Sequence, residues 1–130
     1  MKSRFITLFT IALAVLLVTS CNKEEDTIAE VKVVTPNGSA VAGAQVRLLG
    51  QGTTPSTEVG NIRIKEEQYT ASDGLAKFDF THLYVPGQSG FAILNVEITK
   101  EYPDSTVYME GIIKIVEEQV NRKTFTLVGQ

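Results

Sequence analysis

The chain has 130 residues, with 12 Lys and Arg against 15 Asp and Glu, and a single cysteine. This acidic balance without a basic cluster excludes a nucleic-acid binder, because phosphate contacts need Lys or Arg side chains. The single cysteine excludes an internal disulfide and a multi-thiolate metal site, and the length suits one domain.

The N-terminal stretch has the layout of a secretory signal. Lys2 and Arg4 precede an almost uninterrupted apolar run from Phe5 to Val18. As a helix this run of about 14 residues measures about 21 Å, which is short of the ~30 Å hydrocarbon core of a bilayer. We therefore expect residues 1–20 to be removed as a signal peptide, which leaves a mature chain of about 110 residues.

The end of the apolar run carries a processing motif. Leu17-Val18-Thr19-Ser20-Cys21 resembles the lipobox of bacterial lipoproteins, in which small residues precede an invariant cysteine. The resemblance implies that Cys21 is thioether-linked to diacylglycerol and becomes the first residue of the mature chain. Two or more acyl chains, such as palmitate, anchor a protein stably to a membrane that it does not span. The alternative is an ordinary secretory signal in which the cysteine falls there by chance.

Residues 21–27 form a short charged tether. Part of it resembles the lysine-then-acidic export tag of surface lipoproteins in the Bacteroidota, namely Lys23, Glu24, Glu25 and Asp26. The resemblance implies a location on the outer membrane with the domain exposed at the cell surface. Asn22 in the second mature position argues, by the same resemblance, against retention in the inner membrane. A solvated acidic tether without a targeting role is the alternative.

Residues 28–130 are expected to form one domain. From Ile28 onward, apolar and polar residues alternate and many side chains are β-branched, which predicts strands with one buried face. The expected strands are 28–33, 45–49, 61–70, 75–80, 91–100, 107–116 and 123–128. Turn signals separate the strands and no convincing amphipathic helix occurs. The sequence therefore predicts an all-β fold, a single antiparallel seven-stranded β-sandwich of the prealbumin or immunoglobulin type.

Single residues predict the turns and part of the core. Turns are expected at Pro36-Asn37-Gly38, Ser72-Asp73-Gly74 and Tyr102-Pro103-Asp104-Ser105. Gly111, inside the sixth strand, indicates a bulge. The aromatic residues expected in the core are Phe78, Phe80, Phe91 and Phe125. The polar residues 117–122 are read as a connection, with a helical turn as the alternative.

Two segments resemble the carboxypeptidase regulatory-like domains, which have a transthyretin-like β-sandwich. The first segment is Pro36-Asn37-Gly38 followed by Val41-Ala42-Gly43-Ala44-Gln45-Val46-Arg47-Leu48. The second is Thr70-Ala71-Ser72-Asp73-Gly74-Leu75-Ala76-Lys77-Phe78, whose turn is shorter than the common one in that family. The resemblance covers about the first half of the mature chain. It implies the fold and says almost nothing about activity.

Catalytic chemistry is not indicated. His82 is the one histidine, and neither a phosphate-binding glycine loop nor a His-Glu-x-x-His motif occurs. The transthyretin-like hydrolases use several histidines and a Tyr-Arg-Gly-Ser tail, whereas this chain ends in Thr126-Leu127-Val128-Gly129-Gln130. Four acidic residues have oxygen ligands for calcium, but solvation at turns and edges explains them better: Asp73, Asp79, Glu101 and Asp104. We therefore expect a protein that is not an enzyme, with no cofactor and no metal.

Four tyrosines are the candidate recognition residues: Tyr69, Tyr84, Tyr102 and Tyr108. Their rings offer a large contact area at low entropic cost, although packing at the rim of the core is the alternative. Together with the lipid anchor, they favour a noncatalytic binding or assembly module at the cell surface, with a protein or glycan partner. Two other hypotheses are a structural subunit of a surface fibre or secretion assembly, and a glycan-binding accessory of an outer-membrane uptake system.

Overall fold

A computed structural model of the protein describes residues 25–51, 62–83 and 91–129. Within those ranges the strands are β1 Ile28–Val34, β2 Gln45–Gln51, β3 Ile62–Tyr69, β4 Leu75–Asp79, β5 Phe91–Tyr102, β6 Ser105–Val116 and β7 Val120–Thr126. One short 3₁₀ helix, Thr81–Leu83, follows β4. The expected signal peptide, Cys21, Lys23, Glu24 and Tyr84 lie outside the described residues, as does the first residue of the third expected strand.

The strands form two sheets that pack as a sandwich, which confirms the predicted all-β, seven-stranded fold. One sheet has the order β4-β1-β7 and the other has the order β3-β2-β5-β6. Among the described residues every pairing is antiparallel except that of β1 with β7, which is parallel. β1 and β7 are the first and last strands of the domain. Their parallel pairing is a long-range contact that hairpin signals do not encode.

The core lies between the two sheets and follows the period-two pattern of the sequence. Buried residues come from both sheets: Val31 and Val33 on β1, Val46 and Leu48 on β2, Val96 and Ile98 on β5. Phe78, Phe80 and Phe125 are buried as predicted, but the prediction for Phe91 is wrong because its side chain is 60% exposed. Phe91 has the phase of the outward residues of β5, since the buried ones are the even-numbered residues from Leu94 to Ile98.

The bulge predicted at Gly111 is also wrong. Gly111 pairs with Val96 in an unbroken β5–β6 register, and the irregularity lies instead between Gly50 and Gln51 on β2. The ring of Phe125 occupies the space above Gly111, where a Cβ atom would lie 2.4 Å from its Cε1 atom. Glycine is thus needed at this position for close packing of β6 on the ring of a β7 residue.

The last strand begins earlier than predicted. β7 starts at Val120, three residues before the expected start, and a turn at residues 117–118 precedes it. Glu118 takes a positive φ of 55° in that turn, so the helical alternative for residues 117–122 is wrong. Across this turn the side chain of Asn121, the second residue of β7, bonds the backbone of Val116 at the end of β6.

Asn121 joins the two sheets. Its Oδ1 atom accepts a hydrogen bond from the Val116 N–H at 2.9 Å, and its Nδ2 atom donates to the Val116 carbonyl at 2.8 Å. Nδ2 also donates to the Ile28 carbonyl at 3.2 Å. Val116 ends β6 in one sheet and Ile28 begins β1 in the other. A buried amide has to be paired, so these bonds fix how the sheets meet at this corner.

Replacing Gly111 with alanine should destabilise the fold by about 1–3 kcal/mol, because the new methyl group overlaps the Phe125 ring in a packed core. Urea denaturation measures the change. Gly129→Ala is the matched control, since its Cβ would come no nearer than 3.7 Å to Val107. If the ring is the cause, Gly111→Ala combined with Phe125→Leu will cost less than the sum of the two single changes. An additive result would contradict the contact.

Candidate binding face on the four-stranded sheet

The outward side of the four-stranded sheet, called the outer face below, carries two of the four tyrosines in one row. Tyr69 pairs with Gln45, Gln45 with Thr99, and Thr99 with Tyr108. Residues paired across strands share a face, so all four side chains project to the same side. Tyr69 is 61% exposed and Tyr108 is 54% exposed. With strands about 4.8 Å apart, the two tyrosine Cα atoms lie about 14 Å apart.

Tyr102 is not part of this row. Tyr102 lies at the β5–β6 hairpin, in the opposite phase of β5, and lines a cleft with Pro36 and Leu127 at one end of the sandwich. The Lys100 ammonium lies 5.7 Å from the centre of its ring. Tyr84 lies outside the described residues. The structure therefore unites Tyr69 and Tyr108 and separates Tyr102 from them.

A row of charges crosses the outer face beside the tyrosine row. Arg47 occupies its centre, with Nη1 2.9 Å from the Glu97 carboxylate and Nε 3.9 Å from that of Glu67. Gln45 connects the two rows, because its Nε2 atom donates to Glu67 at 2.8 Å and to the Tyr69 hydroxyl at 3.3 Å. A polar network thus runs from Tyr69 to Glu97. It holds these side chains in place before any ligand binds.

Glu110 completes the charged row next to Tyr108. The Tyr108 hydroxyl donates a hydrogen bond to the Glu110 carboxylate. This bond, together with desolvation and the nearby negative charges of Glu110 and Glu97, raises the pKa of Tyr108 to about 12. Glu110 lies directly opposite Glu97 across β5 and β6. Three carboxylates therefore share the row with the single guanidinium of Arg47, so the centre of the outer face is acidic.

Towards one end of β5 and β6 the outer face becomes apolar. Phe91, Ile93 and Ile112 are each more than half exposed there, and the Lys114 ammonium lies 4.2 Å above the Phe91 ring. A depression of about 380 Å³ between Leu49, Asn95, Glu110 and Ile112 separates this region from the charged row. A smaller one, of about 130 Å³, adjoins Tyr69, Gln45 and Glu101. The face thus has two concave areas, one bordered by Glu97 and Glu110 of the charged row and one bordered by the tyrosine row.

The acidic residues and the histidine considered from the sequence do not group into one site in the part of the chain that the structure describes. Asp73 accepts a hydrogen bond from the Leu75 N–H, and Asp79 accepts two from Thr81, which lower the pKa of Asp79. His82 is exposed in the 3₁₀ helix, and Glu25 and Asp26 are exposed ahead of β1. In the ranges that the structure describes, no three His, Cys, Asp or Glu side chains group as metal ligands. The same ranges contain no helix long and apolar enough to cross a membrane.

Sequence reasoning proposed the tyrosines as recognition residues, which stays a prediction, and did not consider the polar residues beside them. Gln45, Arg47, Glu97 and Glu110 are ordinary polar residues on strands, and each has the outward phase of its strand. The period-two pattern alone could have assigned them to outward positions. Their grouping follows from the order β3-β2-β5-β6, which no local pattern encodes.

Comparisons with known proteins identify no family for this chain. No protein-family model and no curated protein matches the sequence. One solved structure that resembles it is the dioxygenase domain of a novel dioxygenase carbohydrate-binding protein fusion from the cellulolytic bacterium Streptomyces sp. SirexAA-E, with a TM-score of 0.44 and 13% identity. The alignment covers 88% of this chain and 85% of that chain. A likeness of this degree indicates nothing about activity or ligand.

Replacing Glu110 with glutamine should lower the pKa of Tyr108 from about 12 towards its ordinary value, because the charged acceptor is lost. Phenolate absorbance measured against pH, with Tyr108→Phe subtracted, isolates this group. The native pKa lies above the unfolded one of about 10, so the stability from this bond is complete below pH ~10 and disappears as the pH rises towards 12. An unchanged titration in Glu110→Gln would contradict the assignment.

Proposed function

We propose that this protein is a noncatalytic, lipid-anchored β-sandwich of the outer membrane that binds a neutral glycan at the cell surface through its outer face. The observation that carries the proposal is the row in which Tyr69 and Tyr108 project from one face with Gln45 and Thr99 between them. Exposed rings at both ends supply apolar contact area. The Gln45 amide and the Thr99 hydroxyl between them, with the carboxylates of the adjacent charged row, supply hydrogen bonds.

The charge of the outer face favours a neutral ligand rich in hydroxyl groups. Glu67, Glu97 and Glu110 outnumber Arg47 in the charged row, so the face repels phosphate and acidic sugars. Carboxylates are strong hydrogen-bond acceptors for hydroxyl donors. The Arg47 guanidinium already bonds Glu97 at 2.9 Å, which keeps that carboxylate in a fixed position. A basic protein segment has the same charge preference and is the competing class of partner.

The anchor in this proposal is Cys21, on the strength of the Leu17-Val18-Thr19-Ser20-Cys21 motif. β1 begins at Ile28, only seven positions after Cys21. Even a fully extended tether of that length spans no more than about 25 Å. A domain held so near the membrane binds what lies close to the surface. Surface glycans are one such ligand.

Replacing Cys21 with alanine should release the full-length protein from the membrane fraction and abolish incorporation of labelled palmitate, because no thiol remains for acylation. Fractionation with and without globomycin measures this in the native host. Ser20→Ala is the matched control and should be processed normally, since it keeps the small residue before the cysteine. Unchanged membrane association of Cys21→Ala would contradict the lipid anchor. It would not bear on ligand binding at the outer face, which the tyrosine variants test.

Replacing either Tyr69 or Tyr108 with alanine should weaken glycan binding about fivefold, since each ring contributes on the order of 1 kcal/mol of contact energy. The measurement is a glycan array probed with the full-length lipoprotein in detergent, followed by titration of the hits. Tyr102→Ala is the control, because Tyr102 is exposed but lies away from the outer face.

Three results would contradict a glycan ligand at this face. An array without hits would contradict a glycan ligand. Binding of a basic protein that depends on Tyr69 and Tyr108 would show that the partner is a protein segment instead. Binding that only Tyr102→Ala weakens would move the site to the cleft at the hairpin.

A further inference from the structure

β6 is a long edge strand with unpaired backbone groups. It has 12 residues and lies last in the order β3-β2-β5-β6. The backbone N–H and C=O of Val116 bond the Asn121 side chain and not β5. Val116 is therefore one of the β6 residues whose backbone groups point away from β5. Alternate residues of an antiparallel strand share this orientation. The backbone groups of residues 108, 110, 112 and 114 therefore point outward, and no backbone partner for them occurs among the described residues.

The side chains along this edge are self-complementary. Glu110, Ile112 and Lys114 occupy consecutive outward positions of β6, so opposite charges flank an apolar residue symmetrically. Ile112 is 56% exposed. The ion pairs seen among the described residues are formed by Arg47 and Arg122, so neither Glu110 nor Lys114 takes part in one. A second copy that runs antiparallel and is centred on Ile112 therefore presents Lys114 to Glu110 and Glu110 to Lys114.

We propose that two copies of this chain pair along β6, antiparallel, with Ile112 on the twofold axis. Each Glu110 then lies opposite Lys114 of the second copy, and the two Ile112 side chains contact each other. The edge groups of residues 110, 112 and 114 make about six backbone hydrogen bonds in this arrangement. The proposal concerns the edge of the sheet and does not depend on the proposed glycan ligand or on the lipid anchor.

Charge selects this register over its neighbours. Centring the pair on Glu110 brings two carboxylates together, and centring it on Gly111 places Glu110 opposite Ile112. The register centred on Ile112 gives Glu110 a cationic neighbour, whereas its cross-strand neighbour on β5 is Glu97. Like charges directly opposite each other are destabilising, whereas opposite charges stabilise a cross-strand pair.

The other edge strands suit self-pairing less well. β7 carries adjacent cations, Arg122 and Lys123, and β4 has only five residues. On β3 a pairing centred on Glu66 brings that carboxylate against its own copy. Pairing along β6 joins two four-stranded sheets into one continuous sheet with both outer faces on the same side. Because the twofold axis closes the contact, it yields a dimer and not a fibre.

The test is a charge swap on the full-length lipoprotein in mild detergent, with mass measured by sedimentation equilibrium. The wild type should be a dimer. Glu110→Lys and Lys114→Glu should each weaken the dimer at least about tenfold, because each places like charges opposite each other twice. The double variant Glu110→Lys with Lys114→Glu should restore the dimer. Lys77→Glu, an exposed reversal on β4, is the control and should change nothing.

A cysteine scan in cells tests the register itself. Ile112→Cys should form an intermolecular disulfide on mild oxidation, because residues in a hydrogen-bonded pair have Cα atoms about 5.5 Å apart. Thr106→Cys lies on the same edge but about 40 Å from its own copy, so it should not cross-link. The wild type, with Cys21 as its one cysteine, gives the background.

Two results would overturn the proposal. A monomeric wild type, with no Ile112→Cys cross-link above background, would mean that Glu110 and Lys114 block edge pairing instead of directing it. A dimer that the double charge swap fails to restore, although circular dichroism shows that the variant is folded, would place the contact elsewhere.

Discussion

The hydrogen bonds of Asn121 are the constraint on which the rest of the structure depends. One amide bonds both backbone groups of Val116 at the end of β6 and the carbonyl of Ile28 at the start of β1. Leaving buried groups of this kind unpaired costs about 1–3 kcal/mol each, so the sheets are not free to slide at this corner. The end of β6 is fixed, and with it the register of β6 against β5.

That register decides what the outer face presents. A slip of one residue along a strand would turn every side chain to the opposite face of the sheet. Gly111 helps to prevent a slip, because only its position on β6 accommodates the Phe125 ring. With Gly111 opposite Val96, Glu110 lies opposite Glu97 and Tyr108 opposite Thr99. The tyrosine row and the charged row are therefore consequences of core packing on the other side of the sheet.

The two proposals meet on β6 and share Glu110, whose carboxylate belongs both to the charged row and to the proposed pair with Lys114 of the second copy. Tyr108 projects from the outer face, where the glycan is proposed to bind. The backbone groups of Glu110, Ile112 and Lys114 point outward from the free edge of the sheet, where the second copy is proposed to pair. A dimer formed through that edge would place two outer faces side by side. Two linked sites bind a repeating ligand more tightly than one site does, without any new contact. The proposed lipid anchor would hold such a pair close to the surface on which the ligand lies.

The sequence by itself determined the local features: the strand phases, the turn at Ser72-Asp73-Gly74, and the seven-stranded all-β class. The motif at Cys21 that resembles a lipobox is also a local feature of the sequence, and the lipid anchor inferred from it stays a prediction. Only the tertiary structure decided that Tyr69 and Tyr108 share a face while Tyr102 does not, that Gly111 receives a ring instead of forming a bulge, and that β1 and β7 run parallel. The reason is that a period of two is set by neighbouring residues, whereas strand order and register are set by contacts between residues far apart in the chain.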